Sequence, residues 1–175
     1  MKFLTLAKKR CTTRGFSSKY INNHSLNYIL EASRVAPSAC NKQPQKIVVV
    51  QTAEGLQKVE KAYKVFNAPC ALLICQDKTN PLIRPYDGKC SGDLDIGIVC
   101  DHIMLAAREK NIGSVMIGLF DPVIIRNEFN IPDTIEPTAI VLLGYPEKGF
   151  LKSNRHKLER KPISQTVQYE NYHNE

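Results

Sequence analysis

The chain has 175 residues, 43% of them hydrophobic and 23% charged, and it carries a formal net charge of +7. That apolar share supplies the core of one domain, and no stretch reaches the roughly 20 apolar residues that a membrane-spanning helix requires. The six cysteines include no Cys-x-x-Cys pair, and no histidines stand at zinc spacing. We therefore expect reduced thiols, no metal site and a cytoplasmic protein.

In chain order, the patterns predict helices that alternate with strands. We expect helices over residues 2–9, from the cap Ser25 to a point before Pro37, and over 52–63, 93–110 and 121–129, and strands over 46–50, 71–75, 114–120 and 138–146. Pro37 ends its helix because the residue before a proline avoids the helical region, whereas Pro122 suits the first position of the next one. This order predicts a layered α+β or α/β domain in which helices cover the sheet.

Two of these elements, and the residue expected to cap one of them, carry more detailed expectations. The strand over 46–50 is a β-branched run of the kind found in buried strands. The helix over 93–110 is apolar nearly all round, which indicates burial in the core or at a subunit interface, and we expect both. Gly113 is expected to follow this helix as a left-handed cap.

The composition changes after residue 150. Residues 152–161 form a second basic cluster, and residues 151–175 are too polar to form a core of their own. The sequence therefore predicts one domain over residues 1–150 and an extension over 151–175 that lies against another subunit. A disordered basic tail is the alternative.

Residues 8–14, Lys-Lys-Arg-Cys-Thr-Thr-Arg, place four fixed cations and three small donors in seven positions. Arginine offers paired, planar donors to phosphate, and threonine hydroxyls and backbone N–H groups satisfy the remaining oxygens. Neither a Gly-x-Gly-x-x-Gly turn nor a Walker loop is present, so this segment is the best candidate to hold a small, doubly charged anion. A solvated basic surface is the alternative.

Four segments of the chain resemble the FMN-dependent nitroreductase family, in the family's order. Residues 9–16 resemble its Arg-Arg-Ser-x-Arg-x-Phe opening, and residues 36–44 are similar to its Ala-Pro-Ser-x-x-Asn-x-Gln-Pro loop, which is the more specific match. Residues 113–118 resemble its glycine-rich segment, and residues 160–162 resemble its C-terminal Arg-Lys-Pro element. The chain departs from the family in having no tryptophan.

The resemblance implies an α+β sandwich with a central mixed sheet flanked by helices, and a homodimer that holds two FMN molecules at its interface. It assigns the phosphate and ribityl chain to Arg10, Cys11, Thr12, Arg14, Arg160 and Lys161, with Cys11 contributing chiefly backbone. It assigns the isoalloxazine ring to Pro37, Ser38, Ala39 and Asn41 of the other subunit and to Ile117, Gly118 and Leu119, with Gln43 also at the cofactor site. Asn41 and Gln43 have an alternative role, which is to satisfy backbone groups in a proline-flanked turn.

The resemblance also implies that the flavin carries the chemistry, so no catalytic acid, base or nucleophile is expected. NADH or NADPH would deliver hydride to flavin N5 and leave, and a nitroaromatic or a quinone would then collect the electrons in a two-step, ping-pong cycle. One alternative is a flavin-binding sensor or storage protein without turnover. The other, suggested only by the net charge, is a basic nucleic-acid-binding protein, but aromatic residues are not interleaved with the basic ones. We expect neither a nucleic-acid nor a membrane partner.

Overall fold

The computed structural model describes residues 2–149 and 155–172, so residues 151–154 and 173–175 of the predicted extension lie outside the described residues. The helices are α1 (Phe3–Lys9), α2 (Asn23–Arg34), α3 (Ala53–Ala62), α4 (Gly92–Glu109), α5 (Pro122–Glu128) and α6 (Arg155–Leu158). The strands are β1 (Gln45–Val50), β2 (Cys70–Asp77), β3 (Gly113–Ile117) and β4 (Ile135–Gly144). Up to β4, the order of helices and strands is the one that the sequence predicted.

The sheet has the strand order β1-β2-β4-β3, and neighbouring strands are antiparallel. Val50, the last residue of β1, pairs with Ala71 near the start of β2, because α3 and the loop after it return the chain to the end of the sheet that it left. The α+β class is confirmed. The expectation of a mixed sheet is wrong for these four strands, because all of their pairings are antiparallel. A parallel pairing occurs among the described residues at the isolated bridge between Thr12 and Ser114, outside the four strands' own ladders.

Strands β2 and β4 occupy the middle of the sheet and are buried along most of their length. Successive side chains of a strand point to opposite faces. Leu72 and Ile74 therefore join the apolar cluster formed with α2 and α4, whereas Ala71 and Leu73 join the cluster formed with α3 and α5. The domain consequently has three layers, with the sheet between two layers of helices.

Helix α4 lies against the sheet with one face. Ile96, Val99 and Ile103 on this face are at most 1% exposed, whereas Leu94 on the other side is 67% exposed. The predicted core position is confirmed, but the predicted burial nearly all round is not found in the single chain. No helix within residues 2–149 and 155–172 is long and apolar enough to cross a membrane.

Three local expectations are corrected by the structure. Strand β1 lies at an edge of the sheet, so Val48 and Val49 are 37% and 39% exposed rather than buried. The left-handed residue after α4 is Asn111, with φ 58°, because Gly113 already belongs to β3. The cap of α2 is Asn22, whose side chain accepts a hydrogen bond from the backbone N–H of Ser25.

Candidate functional site

The basic segment after α1 is held in place by an edge of the sheet. Thr12 forms the parallel bridge to Ser114 of β3, and the backbone N–H of Thr13 donates to the Ser114 carbonyl oxygen at 3.0 Å. Thr13 is fully buried and Thr12 is half-buried, as expected where successive side chains of an extended segment point to opposite sides. Phe16, with no exposed surface, anchors the end of the segment in the core. The chain therefore presents Thr12 outward from a fixed backbone.

Gly113 permits this close approach. A Cβ atom at this position would lie 2.7 Å from Thr13 Oγ1 and 2.8 Å from Pro146 Cγ, which is nearer than real Cβ contacts come. The glycine-rich segment that the sequence singled out thus has a packing role at its first residue. Its later residues differ in burial, because Ile117 is 6% exposed whereas Gly118 and Leu119 lie on the surface beyond β3.

The two basic clusters of the sequence meet in one cavity. Arg10, Cys11 and Thr12 line it from one side, and α6 and the residues after it line it from the other; its volume is about 200 Å³. The residues contributed by that second side are Arg155, His156, Glu159 and Arg160. A hydrogen bond between the two sides joins His156 Nε2 to the Arg10 carbonyl oxygen, 2.8 Å apart.

The charges in this cavity favour an anion. Arg155 Nε donates to Glu159 Oε2 at 2.6 Å, so the one carboxylate of the lining is already paired. Arg10 and Arg160 are the remaining fixed cations of the lining. Two guanidinium groups with a threonine hydroxyl and backbone N–H groups are a donor set that suits a phosphate monoester.

The structure thus brings together four of the six residues that were predicted for the phosphate and ribityl chain. Arg14 and Lys161 are exposed and lie outside the lining of the cavity. Sequence reasoning missed His156 and Glu159 as members of this site. The i,i+4 spacing of Arg155 and Glu159, which suits an ion pair on one side of a helical turn, was a signal available for Glu159, whereas no such spacing marks His156.

The loop over residues 37–44 has a strained and well-fastened backbone. Cys40, Asn41 and Gln43 all have left-handed φ values, of 49°, 54° and 49°. Ser38 Oγ accepts from the Gln43 backbone N–H at 2.9 Å, and the Ala39 backbone N–H donates to a buried carboxylate on α4, Asp95, at 2.8 Å. Strain that is held by surrounding bonds is typical of ligand-binding segments.

The predicted ring-binding residues of this loop do not share the basic cavity. Pro37 and Asn41 are exposed, and Ala39 instead lines a second cavity of about 300 Å³ beside the start of α4, with Leu82, Arg84, Lys89, Cys90, Ser91 and Leu94. The Gln43 side chain donates to the Asn41 carbonyl oxygen at 3.1 Å, which is the backbone-satisfying role that was left open for it. Within one chain, the two parts of the predicted site are therefore separate.

The layered domain thus carries a cavity rich in arginine beside the edge of its antiparallel sheet. Residues 7–66 and 60–145 match the model of the Nitroreductase family. A putative NADH dehydrogenase/NAD(P)H nitroreductase of Archaeoglobus fulgidus is 32% identical over 163 residues, covering 86% of this chain and 90% of that protein. The chain belongs to the nitroreductase family, as its four motifs predicted.

Solved structures agree with this assignment. A nitroreductase family protein from Clostridium difficile 630 superposes with a TM-score of 0.94 at 42% identity, covering 98% of this chain and all of that one. Another from Clostridium novyi NT has a TM-score of 0.79 at 26% identity and covers 87% of this chain. Among the curated relatives, the FMN reductase [NAD(P)H] of Bacillus subtilis is 24% identical over 161 residues, 81% of this chain and 65% of that protein.

Proposed function

We propose that this protein is an FMN-dependent oxidoreductase that passes hydride from NAD(P)H, through flavin N5, to an electrophilic acceptor such as a nitroaromatic or a quinone. Family membership supports the class of enzyme, and relatives named NAD(P)H nitroreductase and FMN reductase support the two cofactors. The observation that carries the proposal is the cavity in which Arg10, Thr12 and Arg160 converge.

The residues of this cavity fit the phosphate end of FMN. A phosphate monoester carries nearly two negative charges near neutral pH. Arg10 and Arg160 offset that charge, the Thr12 hydroxyl is available as a short donor, and Cys11 would contribute chiefly through its backbone. We assign Arg14 and Lys161, both exposed, to the outer rim of the same site.

We assign the isoalloxazine ring to Ile117, Gly118 and Leu119 of one subunit and to the loop over residues 37–44 of the other. Small residues and a proline suit the flat face of the ring, and the Asn41 amide can donate and accept at its edge. FMN supplies the hydride chemistry, and the protein supplies position and access. The separation of the two half-sites within one chain supports a site completed by a second copy.

The homodimer is part of the proposal. The outward side of α4, on which Leu94 is 67% exposed, is the surface we assign to the subunit interface. Residues 157–172 are exposed throughout, which fits an extension over residues 151–175 that wraps the partner around a domain of residues 1–150. The exposed thiols of Cys40 and Cys90 fit a cytoplasmic location, where they would stay reduced.

An anaerobic reduction experiment tests this function. The purified protein is saturated with FMN, freed of excess, and mixed with NADH or NADPH while the visible absorbance of the flavin is followed. We expect bleaching by at least one nucleotide and recovery of the absorbance on addition of a quinone or a nitroaromatic. In steady-state assays in which both substrates are varied, a ping-pong cycle should give parallel double-reciprocal plots. Bound flavin that neither nucleotide reduces would indicate a sensor or storage protein. Failure to bind FMN, with tight and steeply salt-dependent binding of nucleic acid, would instead favour a basic nucleic-acid-binding protein.

A further inference from the structure

We propose that His156 is a positioning residue that fastens the C-terminal basic segment, residues 155–161, to Arg10 and so places Arg160 at the phosphate end of the flavin site. This inference rests on the proposed function for the identity of the ligand. It adds a residue that the motifs do not assign, and it explains how two segments 146 positions apart in the sequence form one site.

The contact is specific in its geometry. His156 Nε2 lies 2.8 Å from the carbonyl oxygen of Arg10, and a carbonyl oxygen only accepts, so Nε2 must carry the proton. Among the described residues, the hydrogen bond between His156 and Arg10 links residues 155–161 to residues 2–149, whereas the other bonds of the segment lie within it. His156 therefore sets where the segment lies.

Burial supports the same role. Across residues 155–172, every side chain is exposed except that of His156, which is half-buried. Its neighbours Arg155 and Lys157 are exposed, and Leu158 is 74% exposed, so the segment has no apolar anchor of its own. An arginine on a segment without an anchor would lose conformational entropy on binding a phosphate, and a pre-fastened segment reduces that cost.

The surrounding charges explain why fastening is needed. Arg10, Arg155 and Arg160 would repel one another when the cavity is empty, and Glu159 offsets only Arg155, its ion-pair partner at 2.6 Å. The His156 bond to a neutral carbonyl group holds the two cationic segments together without using either remaining guanidinium. Arg10 and Arg160 thus stay available to the ligand.

The test compares FMN with riboflavin, which has the same ring and ribityl chain but no phosphate. Dissociation constants are measured on flavin-free protein by quenching of flavin fluorescence. His156→Ala should raise the Kd for FMN about tenfold, the equivalent of one net hydrogen bond, and leave the Kd for riboflavin within about twofold. His156→Gln, whose amide can donate to the same carbonyl oxygen, should restore most of the affinity. His24→Ala removes an exposed histidine of α2 and is the matched control.

Two further measurements separate positioning from general stability. In the background of Arg160→Ala, His156→Ala should have little additional effect on FMN affinity, because it acts through that arginine. Without flavin, trypsin, which cleaves after arginine and lysine, should cut within residues 155–161 faster in His156→Ala than in the wild type or in His156→Gln.

Equal loss of FMN and riboflavin binding, or additive losses with Arg160→Ala, would overturn the proposal. An unchanged FMN affinity in His156→Ala would overturn it too. A wild-type chain that binds no FMN would remove the proposed function and with it the phosphate role, whereas the trypsin comparison reports on the anchor independently of any flavin.

Discussion

The carboxylate of Asp95 accepts a hydrogen bond from the backbone N–H of Ala39, 56 residues earlier in the chain, with 2.8 Å between Oδ1 and the nitrogen. Its second oxygen, Oδ2, accepts from the hydroxyl of Ser91 at 2.9 Å, and Asp95 is only 1% exposed. This one side chain joins the first turn of α4 to the strained loop over residues 37–44. The position of the proposed ring-binding loop consequently depends on the helix that we place at the dimer interface.

Replacing Asp95 by alanine should therefore loosen that loop. The substitution leaves the Ala39 N–H without its partner, and an unsatisfied buried donor costs about 1–3 kcal/mol. We expect the free energy of unfolding, measured in urea, to fall by that amount. Asp93→Ala is the matched control, since Asp93 is exposed in the same turn of α4 and its interaction with the helix dipole contributes less than about 1 kcal/mol. A larger effect at Asp93 than at Asp95 would contradict the role given to this contact.

Arg10→Ala tests the phosphate assignment directly. Hydrogen bonds to charged groups contribute about 1.5–3 kcal/mol, so the Kd for FMN should rise by roughly 10- to 100-fold. Riboflavin affinity should change little, because riboflavin lacks the phosphate. Lys8→Ala removes an exposed cation from the last turn of α1, outside the cavity lining, and serves as the control for net charge. Equal flavin content in purified Arg10→Ala and wild-type protein would count against the assignment.

Leu94→Asp tests the proposed interface on α4. Burying a leucine side chain contributes about 1.5–3 kcal/mol, and a two-fold interface loses it twice. The dimer dissociation constant should therefore rise about 100-fold or more, measured by sedimentation at several concentrations. Val123→Asp changes a side chain of α5 that is 62% exposed, and should leave the association state unchanged. If the wild-type chain sediments as a monomer at micromolar concentration, the proposal that two copies complete the site is wrong.

The sequence predicted the order of the elements because prolines and apolar periodicity act locally. Pro37 and Pro122 separate helices from their neighbours, and the apolar runs of β2 and β4 occupy the middle of the sheet. Such signals lie within a few residues of the element that they specify. The convergence of Arg10 with Arg160 was also predicted, but through motif resemblance rather than through local physics.

The sequence could not show how elements far apart in the chain are placed relative to one another. The exposure of Val48 follows from the edge position of β1, which depends on the strand order and not on the composition of the strand itself. Nothing within residues 155–161 marks His156 as the half-buried member, because its partner is a backbone carbonyl group near the other end of the chain. The antiparallel direction of the strands likewise depends on where each connection returns the chain.

The six cysteines should divide into distinct groups by reactivity. Cys40 and Cys90 are exposed, Cys11 is half-buried, and Cys70, Cys75 and Cys100 are buried. Burial raises the pKa of Cys70 and of Cys100 to about 12 and that of Cys75 to about 11, which disfavours the reactive thiolate. A disulfide reagent should modify Cys40 and Cys90 quickly in the native protein and Cys11 more slowly, and should reach the buried group only after unfolding. Saturating FMN should slow the reaction of Cys11, which lines the cavity assigned to the phosphate.

The same buried thiols should make the protein less stable at high pH. The ordinary pKa of a thiol here is 9.0, so between pH 9 and the raised folded-state values the unfolded chain loses these protons while the folded chain retains them. The free energy of unfolding must then decrease as the pH rises through that window. Because tyrosines and lysines titrate in the same range, the comparison is between variants. Cys100→Ala should reduce the slope of stability against pH, whereas Cys40→Ala, at an exposed thiol, should leave it unchanged. Equal slopes for the two variants would show that burial of Cys100 does not contribute to the pH dependence.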